Sequence, residues 1–402
     1  MFHRALEEVC FDPLFGRQMR FVAGPRQVGK TTLARSFLES KKSGIFYYNW
    51  DQRTLRTHFK KDPHFFHSDV LKEKKQGETW ICFDEIHKYP KWKNILKDLF
   101  DSFEDRYHFI VTGSARLDLF RRSGDSLSGR YFLFRLLPIS LFEMEGRPLD
   151  LPDTDAKTFI EKNIQDREHA SDLEQLLQFG GFPEPLFKAN EVFSSHWREE
   201  YLESLLKEDL RDLTKIHELE NVASFLSLLP ERVGSPLSLN AVRENLEVSY
   251  TATKNYLQAA FFTYILFQVP PYTQKISRSL KKEKKIYFFD WTNVTDPSKR
   301  FENYVAVELK NRVDLWTSAT KYKFDLFFVR SRDGRETDFL VTRDAKPYFL
   351  VEAKLSSDQI ESHNRHHAVV LGNIPLIQLI AKQGVVKAGR DNTYLLSASR
   401  FL

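Results

Sequence analysis

Cysteine and long uncharged apolar segments are scarce in this chain of 402 residues. Its cysteines, Cys10 and Cys82, stand in apolar surroundings, at a spacing that matches no metal-binding or redox motif. We interpret them as reduced core residues of a cytoplasmic protein. No run approaches the ~18 uncharged apolar residues of a membrane-spanning helix, and the first residues resemble no secretion signal. The sequence therefore predicts a cytoplasmic protein with no membrane partner.

Excess charge of either sign is also small. The chain has 60 Lys and Arg against 55 Asp and Glu, a formal net charge of +5. Any preference for nucleic acid would therefore have to come from local basic patches. A chain of this length should form about two to four domains. The 35 Phe residues are most simply explained as core packing.

A segment with two glycines near the amino end gives the clearest indication of function. Residues 24–31 form a complete G-x-x-x-x-G-K-[ST] phosphate loop between a predicted strand (18–23) and a predicted helix (32–39). Backbone N–H groups of such a loop face the β- and γ-phosphates of a nucleotide. Lys30 would add a positive charge, and Thr31 a hydroxyl ligand for Mg²⁺. The predicted nucleotide contacts are Gly24, Pro25, Arg26, Gln27, Val28, Gly29, Lys30, Thr31 and Thr32.

An acidic pair would supply the second half of such a site. The apolar run at 80–83 ends in Asp84 and Glu85, as expected for a buried parallel strand. Asp84 would hold Mg²⁺ through water, and Glu85 would orient or deprotonate the attacking water. Alternatively, the pair opens the next helix, where carboxylates are favoured. The coincidence of two halves of one phosphate site favours the first interpretation.

Apolar strands alternate with amphipathic helices over residues 1–147, which predicts a parallel sheet covered by helices. The predicted strands are 20–23, 45–50, 80–83, 108–112 and 131–136. A break at 148–152 ends this domain. Residues 148–217 are predicted to form a helical lid or linker, with a long amphipathic helix over 197–213.

Residues 218–292 are predicted to form a winged helix-turn-helix. Its predicted elements are helices at 238–244 and 250–260 and strands at 264–269 and 285–289. Thr251, Lys254 and Asn255 would lie on the outward face of the second helix, where DNA is contacted. Six basic residues and one acidic residue between Lys275 and Lys285 suit phosphate contacts. The alternative is a solvated hairpin in a domain that contacts only protein.

Residues 293–402 contain a second possible catalytic site. Glu352 and Lys354 stand two residues apart on a predicted strand and so share one of its faces. Asp338 on the adjacent strand and Glu302 on the preceding helix could join Glu352 in gathering Mg²⁺. Lys354 would then help to deprotonate or hold a water for phosphodiester hydrolysis. The alternative is an inactive domain of similar fold.

The whole pattern resembles the bacterial and archaeal AAA+ ATPases whose core is followed by a domain of unknown function with winged-helix and PD-(D/E)XK-nuclease-like portions. Further marks of the resemblance lie at 109–114, 127–130, 137–138, 180–183 and 339–354. It implies an α/β protein built from a P-loop AAA+ parallel-sheet core, a helical lid, a winged helix-turn-helix and a C-terminal α/β restriction-endonuclease-like domain.

The resemblance also implies roles for individual residues. Thr112 or Ser114 would be the polar sensor of the attacking water or γ-phosphate. Arg130 is the best candidate for an arginine finger that reaches the nucleotide of a neighbouring subunit. Its competitors are Arg116, Arg121 and Arg122. The implied cofactors are ATP and Mg²⁺, and the implied partners are DNA and further copies of the chain in a ring or partial ring.

Two functions stay open at this point. In the first, ATP hydrolysis controls assembly and DNA processing by a protein that binds DNA through its winged helix and carries a Mg²⁺-dependent nuclease-like domain. In the second, the protein is an ATP-driven switch or remodeller of protein partners, and its nuclease-like domain is a catalytically inactive docking module.

Overall fold

A computed structural model of the protein describes residues 2–73, 77–113, 127–164, 170–210, 219–273, 282–357 and 359–402. The chain divides into two compact units, Met1–Leu137 and Pro138–Leu402. In the described part of the chain, no helix is both long enough and apolar enough to cross a membrane.

The first unit is built on a parallel sheet in the order β2-β3-β4-β1-β5. Its strands are β1 (Met19–Ala23), β2 (Tyr47–Asn49), β3 (Trp80–Asp84), β4 (His108–Thr112) and β5 (Tyr131–Arg135). Its helices are α1 (Ala5–Cys10), α2 (Lys30–Ser40), α3 (Arg53–Lys61), α4 (Phe65–Glu73) and α5 (Trp92–Phe103). β1 and β3 are buried along their whole length, which explains why both are apolar except for Arg20 in β1 and Asp84 at the end of β3.

Aromatic side chains fill the core between this sheet and its helices. Phe66 packs edge-on against Phe83, Phe103 and Phe109, with ring centroids 5.2–6.1 Å apart. Such edge-to-face pairs add to the stabilisation from burial itself. In this unit, much of the phenylalanine content therefore serves packing, as predicted. One strand differs from its prediction: β2 is shorter than 45–50, because Gly44–Phe46 forms a 3-10 turn ahead of it.

The second unit starts with short helices. These are α6 (Leu141–Met144), α7 (Ala156–Asn163), α8 (Ala170–Phe179), α9 (Pro183–Lys188) and α10 (Glu191–Ser204). Helix α10 starts before the predicted helix at 197–213, because the side chain of Asn190 caps it by accepting a hydrogen bond from the N–H of Phe193 at 2.9 Å. A π-helical turn, Leu205–Leu210, follows α10.

A three-helix group with a hairpin comes next. It comprises α11 (Leu219–Ser227), α12 (Leu239–Leu246), α13 (Tyr250–Phe262), β6 (Leu266–Val269) and β7 (Lys285–Phe288). Strands β6 and β7 pair antiparallel. Glu247 adopts a left-handed conformation (φ 53°) at the end of α12, and Ser249 caps α13. The part of the basic segment at 274–281 lies outside the described residues.

The chain ends in a mixed sheet in the order β12-β13-β11-β10-β9-β8. Its elements are α14 (Pro297–Ala319), β8 (Phe324–Arg330), β9 (Glu336–Arg343), β10 (Lys346–Lys354), α15 (Ser362–Val370), β11 (Leu376–Ile380), β12 (Val386–Ala388), β13 (Thr393–Ser397) and α16 (Ala398–Phe401). The pairs β8/β9 and β9/β10 are antiparallel, whereas β10/β11 and β11/β13 are parallel. Helix α14 packs against β8 and β10, and its first turns reach β7, where Asn303 Oδ1 accepts a hydrogen bond from the N–H of Phe288 at 2.9 Å.

Candidate nucleotide site and acidic cluster

The phosphate loop joins β1 to α2 through glycines in conformations that other residues rarely adopt. Gly24 has φ 153° and Gly29 has φ 102°. Any Cβ at Gly24 would overlap the carbonyl oxygen of Leu136, so the loop is also packed too closely there for a side chain. Gly29 immediately precedes α2, and the N–H groups at the start of this helix therefore border the loop.

The ammonium of Lys30 lies over this loop. Its Nζ donates to the carbonyl oxygens of Gly24 at 3.0 Å and Pro25 at 2.6 Å, and the residue is almost fully buried. A phosphate in the loop would offer this ammonium a charged acceptor, which forms stronger hydrogen bonds than a carbonyl. Of the other predicted contacts, Val28 is buried, Arg26 is half-buried, and Gln27 and Thr32 are exposed.

Asp84, at the carboxyl end of β3, receives three hydroxyl groups. Thr31 Oγ1 donates to its Oδ2 at 3.0 Å, Thr112 Oγ1 donates to Oδ1, and the hydroxyl of Tyr47 donates to Oδ2. The two predicted Mg²⁺ ligands, Thr31 and Asp84, are thus adjacent, and their oxygens are of the hard type that Mg²⁺ prefers. Tyr47 was not predicted from the sequence, and its position on β2, the strand next to β3, was the available signal.

Glu85 follows β3 in a left-handed conformation, with φ 59°. Its Oε2 lies 3.5 Å from Lys88 Nζ. Burial raises the pKa of Glu85, and the nearby Lys30 opposes that rise. A carboxylate with a raised pKa is a better general base once it is ionised, in keeping with the role predicted for Glu85.

The other predicted residues of this site are placed as follows. The hydroxyl of Thr112 donates its hydrogen bond to Asp84, so the contact of Thr112 with a water or γ-phosphate stays a prediction. Arg130 forms a two-pronged ion pair with Asp101, at 2.6 and 3.0 Å. Ser114 lies outside the described residues, and so do the arginines that compete with Arg130, which are Arg116, Arg121 and Arg122.

In the second unit, the structure brings the predicted acidic residues together. Lys354 Nζ lies 2.8 Å from Glu352 Oε1. The N–H of Asp338 donates to Glu352 Oε2 at 3.2 Å, and the N–H of Ala353 donates to Asp338 Oδ2 at 3.1 Å. Burial, and then the charge of Asp338, raise the pKa of Glu352 to about 7. Glu302 joins this group from the first turns of α14.

A second lysine lies inside this group. Lys285 Nζ, on β7, is 3.1 Å from Asp338 Oδ1, 3.4 Å from Glu302 Oε1 and 3.5 Å from Glu336 Oε2. The prediction that Lys285 contacts DNA from an exposed hairpin is therefore wrong, because its side chain is only 2% exposed. Alternation along β7 was the missed signal, since Lys285 shares a face with Tyr287, whose hydroxyl donates to Glu302 at 2.8 Å.

The predicted Mg²⁺ site at Glu302, Asp338 and Glu352 does not fit this arrangement. Within the described residues, no group of three or more His, Cys, Asp and Glu has a geometry that could hold a metal ion. The physical reason is that the ammonium of Lys285 lies among the carboxylate oxygens, while backbone N–H groups occupy others.

Residues 16–145 match the family model described as an AAA domain. The matched segment includes the phosphate loop, the acidic pair and Arg130, and this similarity supports ATP binding and hydrolysis. Residues 170–292 match a second model, described as a domain of unknown function.

Relatives in distant organisms match most of the chain. A protein of Methanocaldococcus jannaschii described as uncharacterized is 23% identical over 375 residues, which cover 90% of this chain and 81% of that protein. A protein of Mycobacterium tuberculosis with the same description is 24% identical over 357 residues, which cover 87% and 73%.

Two solved structures were also matched. The Aeropyrum pernix ORC1 protein in complex with DNA is 15% identical, with a TM-score of 0.29, over 75% of this chain and 91% of that one. C. elegans PCH-2 is 13% identical, with a TM-score of 0.23, over 64% and 65%. At such TM-scores, neither likeness supports a conclusion about fold or function.

Proposed function

We propose that the protein is a Mg²⁺-dependent ATPase whose nucleotide cycle controls the engagement of DNA by its second unit. The observation that carries this proposal is the 3.0 Å hydrogen bond between Thr31 and Asp84, which joins the two halves of a phosphate site from separate parts of the chain. When bound there, Mg²⁺ would polarise the phosphate oxygens and offset their charge.

Each residue of this site has a defined task in the proposal. Lys30 and the N–H groups at the start of α2 bind the phosphates. Thr31 and Asp84 hold the metal ion, Asp84 through water. Glu85 orients the attacking water and accepts its proton. The carbonyl partners of Lys30 in the loop are neutral, whereas a phosphate is a charged acceptor that forms a stronger hydrogen bond with the ammonium.

We propose that a neighbouring subunit supplies the last catalytic group. Arg130, supplied to the nucleotide of a neighbouring subunit, would stabilise charge in the transition state and make hydrolysis depend on a ring or partial ring. In the structure its guanidinium is paired with Asp101, and both side chains are accessible to solvent. A solvent-exposed ion pair of this kind contributes little stability, so a phosphate could compete for the arginine.

The helices α12 and α13 and the β6/β7 hairpin are the proposed DNA-binding part, in a winged-helix arrangement. Thr251, Lys254 and Asn255 are all exposed along α13, as expected of a face that contacts DNA. Ser249 fixes the start of this helix by capping it. Basic residues near the hairpin, such as Lys282, would position the phosphate backbone.

The proposed function has two versions, which differ in whether the nuclease-like site is active. The first version, a Mg²⁺-dependent nuclease that processes the bound DNA, requires Lys285 to leave the carboxylates of Glu302 and Asp338, because in their present arrangement these oxygens already bind its ammonium. The insertion of Lys285 among these carboxylates favours the second candidate, in which the ATPase switches protein partners and the domain is a docking module.

ATP hydrolysis by the purified protein, measured with and without DNA, tests the proposal. We expect Lys30→Ala to lose nucleotide binding, and Glu85→Gln to keep binding while kcat falls by roughly 10²–10⁴-fold, as is usual for a lost general base. DNA should stimulate the wild type, and the double variant Lys254→Ala/Lys282→Ala should lose that stimulation.

The matched control is Lys387→Ala, which removes an exposed lysine on β12 of the same unit. It should respond to DNA like the wild type. Hydrolysis that DNA leaves unchanged, in a protein that binds ATP, would support the switch acting on protein partners. A protein that binds no nucleotide would refute both versions.

A further inference from the structure

We call the carboxylates of Glu302, Glu336, Asp338 and Glu352 the acidic cluster. The first three lie 3.1–3.5 Å from the buried ammonium of Lys285, and Glu352 accepts a hydrogen bond from the N–H of Asp338. We infer that the Lys285 ammonium is the resident cation of this cluster, and that the cluster binds no divalent metal while Lys285 is in place. This inference rests on the proposed function only where it describes the second unit as nuclease-like, and the phosphate loop has no part in it.

Among the described residues, two lysines contact the cluster, and the exposed Arg330 contacts Glu336 as well; of these three cations, Lys285 alone is enclosed. Lys285 contacts three of the carboxylates, and its side chain is 2% exposed. Lys354 contacts Glu352, and its side chain is 34% exposed. A buried ammonium has a large desolvation cost that only close carboxylates can offset, and buried carboxylates repel one another in turn. Lys285 and the cluster therefore stabilise each other.

The main chain of Lys285 is paired on both sides. β7 pairs with β6, where Lys285 stands opposite Val269. On the other side, Pro236 forms a bridge with Lys285, and the N–H of Leu237 donates to the carbonyl of Lys284 at 3.0 Å. Gly234 closes over Glu302 so tightly that a Cβ there would lie 2.5 Å from Glu302 Oε2. This pairing fixes the main chain of Lys285, and the enclosure of its side chain, which is 2% exposed, keeps the ammonium among the carboxylates.

A metal ion and this ammonium require the same oxygens. Mg²⁺ binds oxygen ligands at roughly 2.0–2.1 Å, in near-octahedral geometry. Asp338 Oδ1 and Glu302 Oε1, which face into the cluster, already accept hydrogen bonds from Lys285 Nζ. Two cations this close would also repel each other strongly away from bulk water. Displacement of the Lys285 ammonium from these oxygens is therefore the condition for loading a metal.

The test is a Mn²⁺ titration of the full-length protein without nucleotide, followed by the electron paramagnetic resonance signal of free Mn²⁺. Lys285→Met keeps the length of the side chain and removes its charge. We expect Lys285→Met to gain one Mn²⁺ site that is at least about tenfold tighter than any site of the wild type. The double variant Lys285→Met/Asp338→Asn should lose the gained site. Lys282→Met, which removes an exposed lysine next to β7, is the matched control and should gain none.

Thermal unfolding gives a second measurement. Mn²⁺ should raise the melting temperature of Lys285→Met and leave that of the wild type unchanged, because a ligand stabilises only the folded form that binds it. Equal Mn²⁺ binding by the wild type and Lys285→Met, or no gain in the variant, would overturn the inference. If Lys285→Met does not fold, Mn²⁺ binding by the wild type tests the inference instead. A wild-type Mn²⁺ site that Asp338→Asn abolishes overturns the inference, and the absence of such a site upholds it. Because no nucleotide is present, these outcomes are independent of whether the protein hydrolyses ATP.

Discussion

Buried carboxylates in this protein differ in what surrounds them. Asp84 accepts hydrogen bonds from hydroxyl groups, including that of Thr31, and so keeps neutral partners in a site proposed for a metal ion. The acidic cluster instead contains an ammonium. Glu308, on α14, is 1% exposed and accepts a hydrogen bond from the N–H of Leu141 at 2.8 Å. Burial raises the pKa of Glu308 to about 7, although the nearby Arg312 opposes that rise.

This pKa predicts how the stability of the protein depends on pH. In the folded chain, the pKa of Glu308 lies above its ordinary value of 4.5. The protonated carboxyl therefore makes its full contribution to the free energy of unfolding below pH ~4.5. It is lost as pH rises through about 7. Glu308→Gln, which cannot ionise, should therefore be more stable than the wild type at pH ~8 and similar to it at low pH. At ~1.4 kcal/mol per pKa unit, the difference is about 3 kcal/mol.

Urea unfolding at several pH values, followed by tryptophan fluorescence, measures this difference. Glu199→Gln makes the same substitution at an exposed position of α10 and should follow the wild type at every pH. If Glu308→Gln and the wild type lose stability in parallel between pH ~5 and ~8, Glu308 is not the responsible group.

At the scale of elements, caps decide where several helices begin. The carboxylate of Asp296 accepts a hydrogen bond from the N–H of Lys299 at 2.9 Å, and Pro297 occupies the first position of α14. Asn190 starts α10 in the same way. At α13, Ser249 Oγ accepts a hydrogen bond from the N–H of Ala252 at 3.1 Å. These caps fix the entry of each helix, and at α13 they fix the face proposed to contact DNA.

Removal of the cap of α13 should weaken the second unit. Ser249→Ala leaves the N–H of Ala252 without its acceptor and should lower the free energy of unfolding by about 1 kcal/mol. Ser249→Asp supplies another acceptor and should restore most of that loss. Both values come from urea unfolding at constant pH and salt. Equal stability of Ser249→Ala and the wild type would show that this hydrogen bond contributes nothing measurable.

At the scale of the whole molecule, the two sites lie in different units, each with its own sheet. The parallel sheet of the first unit carries the phosphate loop and Asp84 at the carboxyl ends of β1 and β3, where ligands of such sheets usually bind. The mixed sheet of the second unit carries the acidic cluster. ATP could control the second unit only if binding energy differs between states of the whole chain or of its assembly.

The proposed assembly makes a complementation prediction. Arg130→Ala keeps its phosphate loop, whereas Lys30→Ala keeps the arginine. If Arg130 serves the nucleotide of a neighbouring subunit, each variant alone should be nearly inactive and a mixture of the two should recover a measurable part of the wild-type ATPase rate. Steady-state phosphate release at a fixed total protein concentration gives this rate.

The matched control for this mixture is Arg17→Ala, since Arg17 is another exposed arginine of the first unit, bound to Glu104 at 2.8 Å. This variant should hydrolyse ATP like the wild type. Full activity of Arg130→Ala alone, or an inactive mixture of two variants that still assemble, would remove Arg130 from the proposed mechanism.

Local patterns in the sequence determined the phosphate loop and three strands that end at the site. The loop depends on residues that are adjacent in the chain, and β1, β3 and β4 are short, mostly apolar segments. The pairing of Glu352 with Lys354 followed from alternation along one strand. In each case, the information lies within a few residues, so the sequence was sufficient.

Tertiary structure alone decided which residues meet across long separations in the chain. Tyr47 reaches Asp84 because β2 pairs with β3, and Lys285 enters the acidic cluster because the hairpin lies against residues far along the chain. A lysine in a basic segment has the same local sequence whether it faces solvent or carboxylates. Only the packing of the hairpin distinguishes the two, since desolvation and ion pairing depend on what surrounds the ammonium in space.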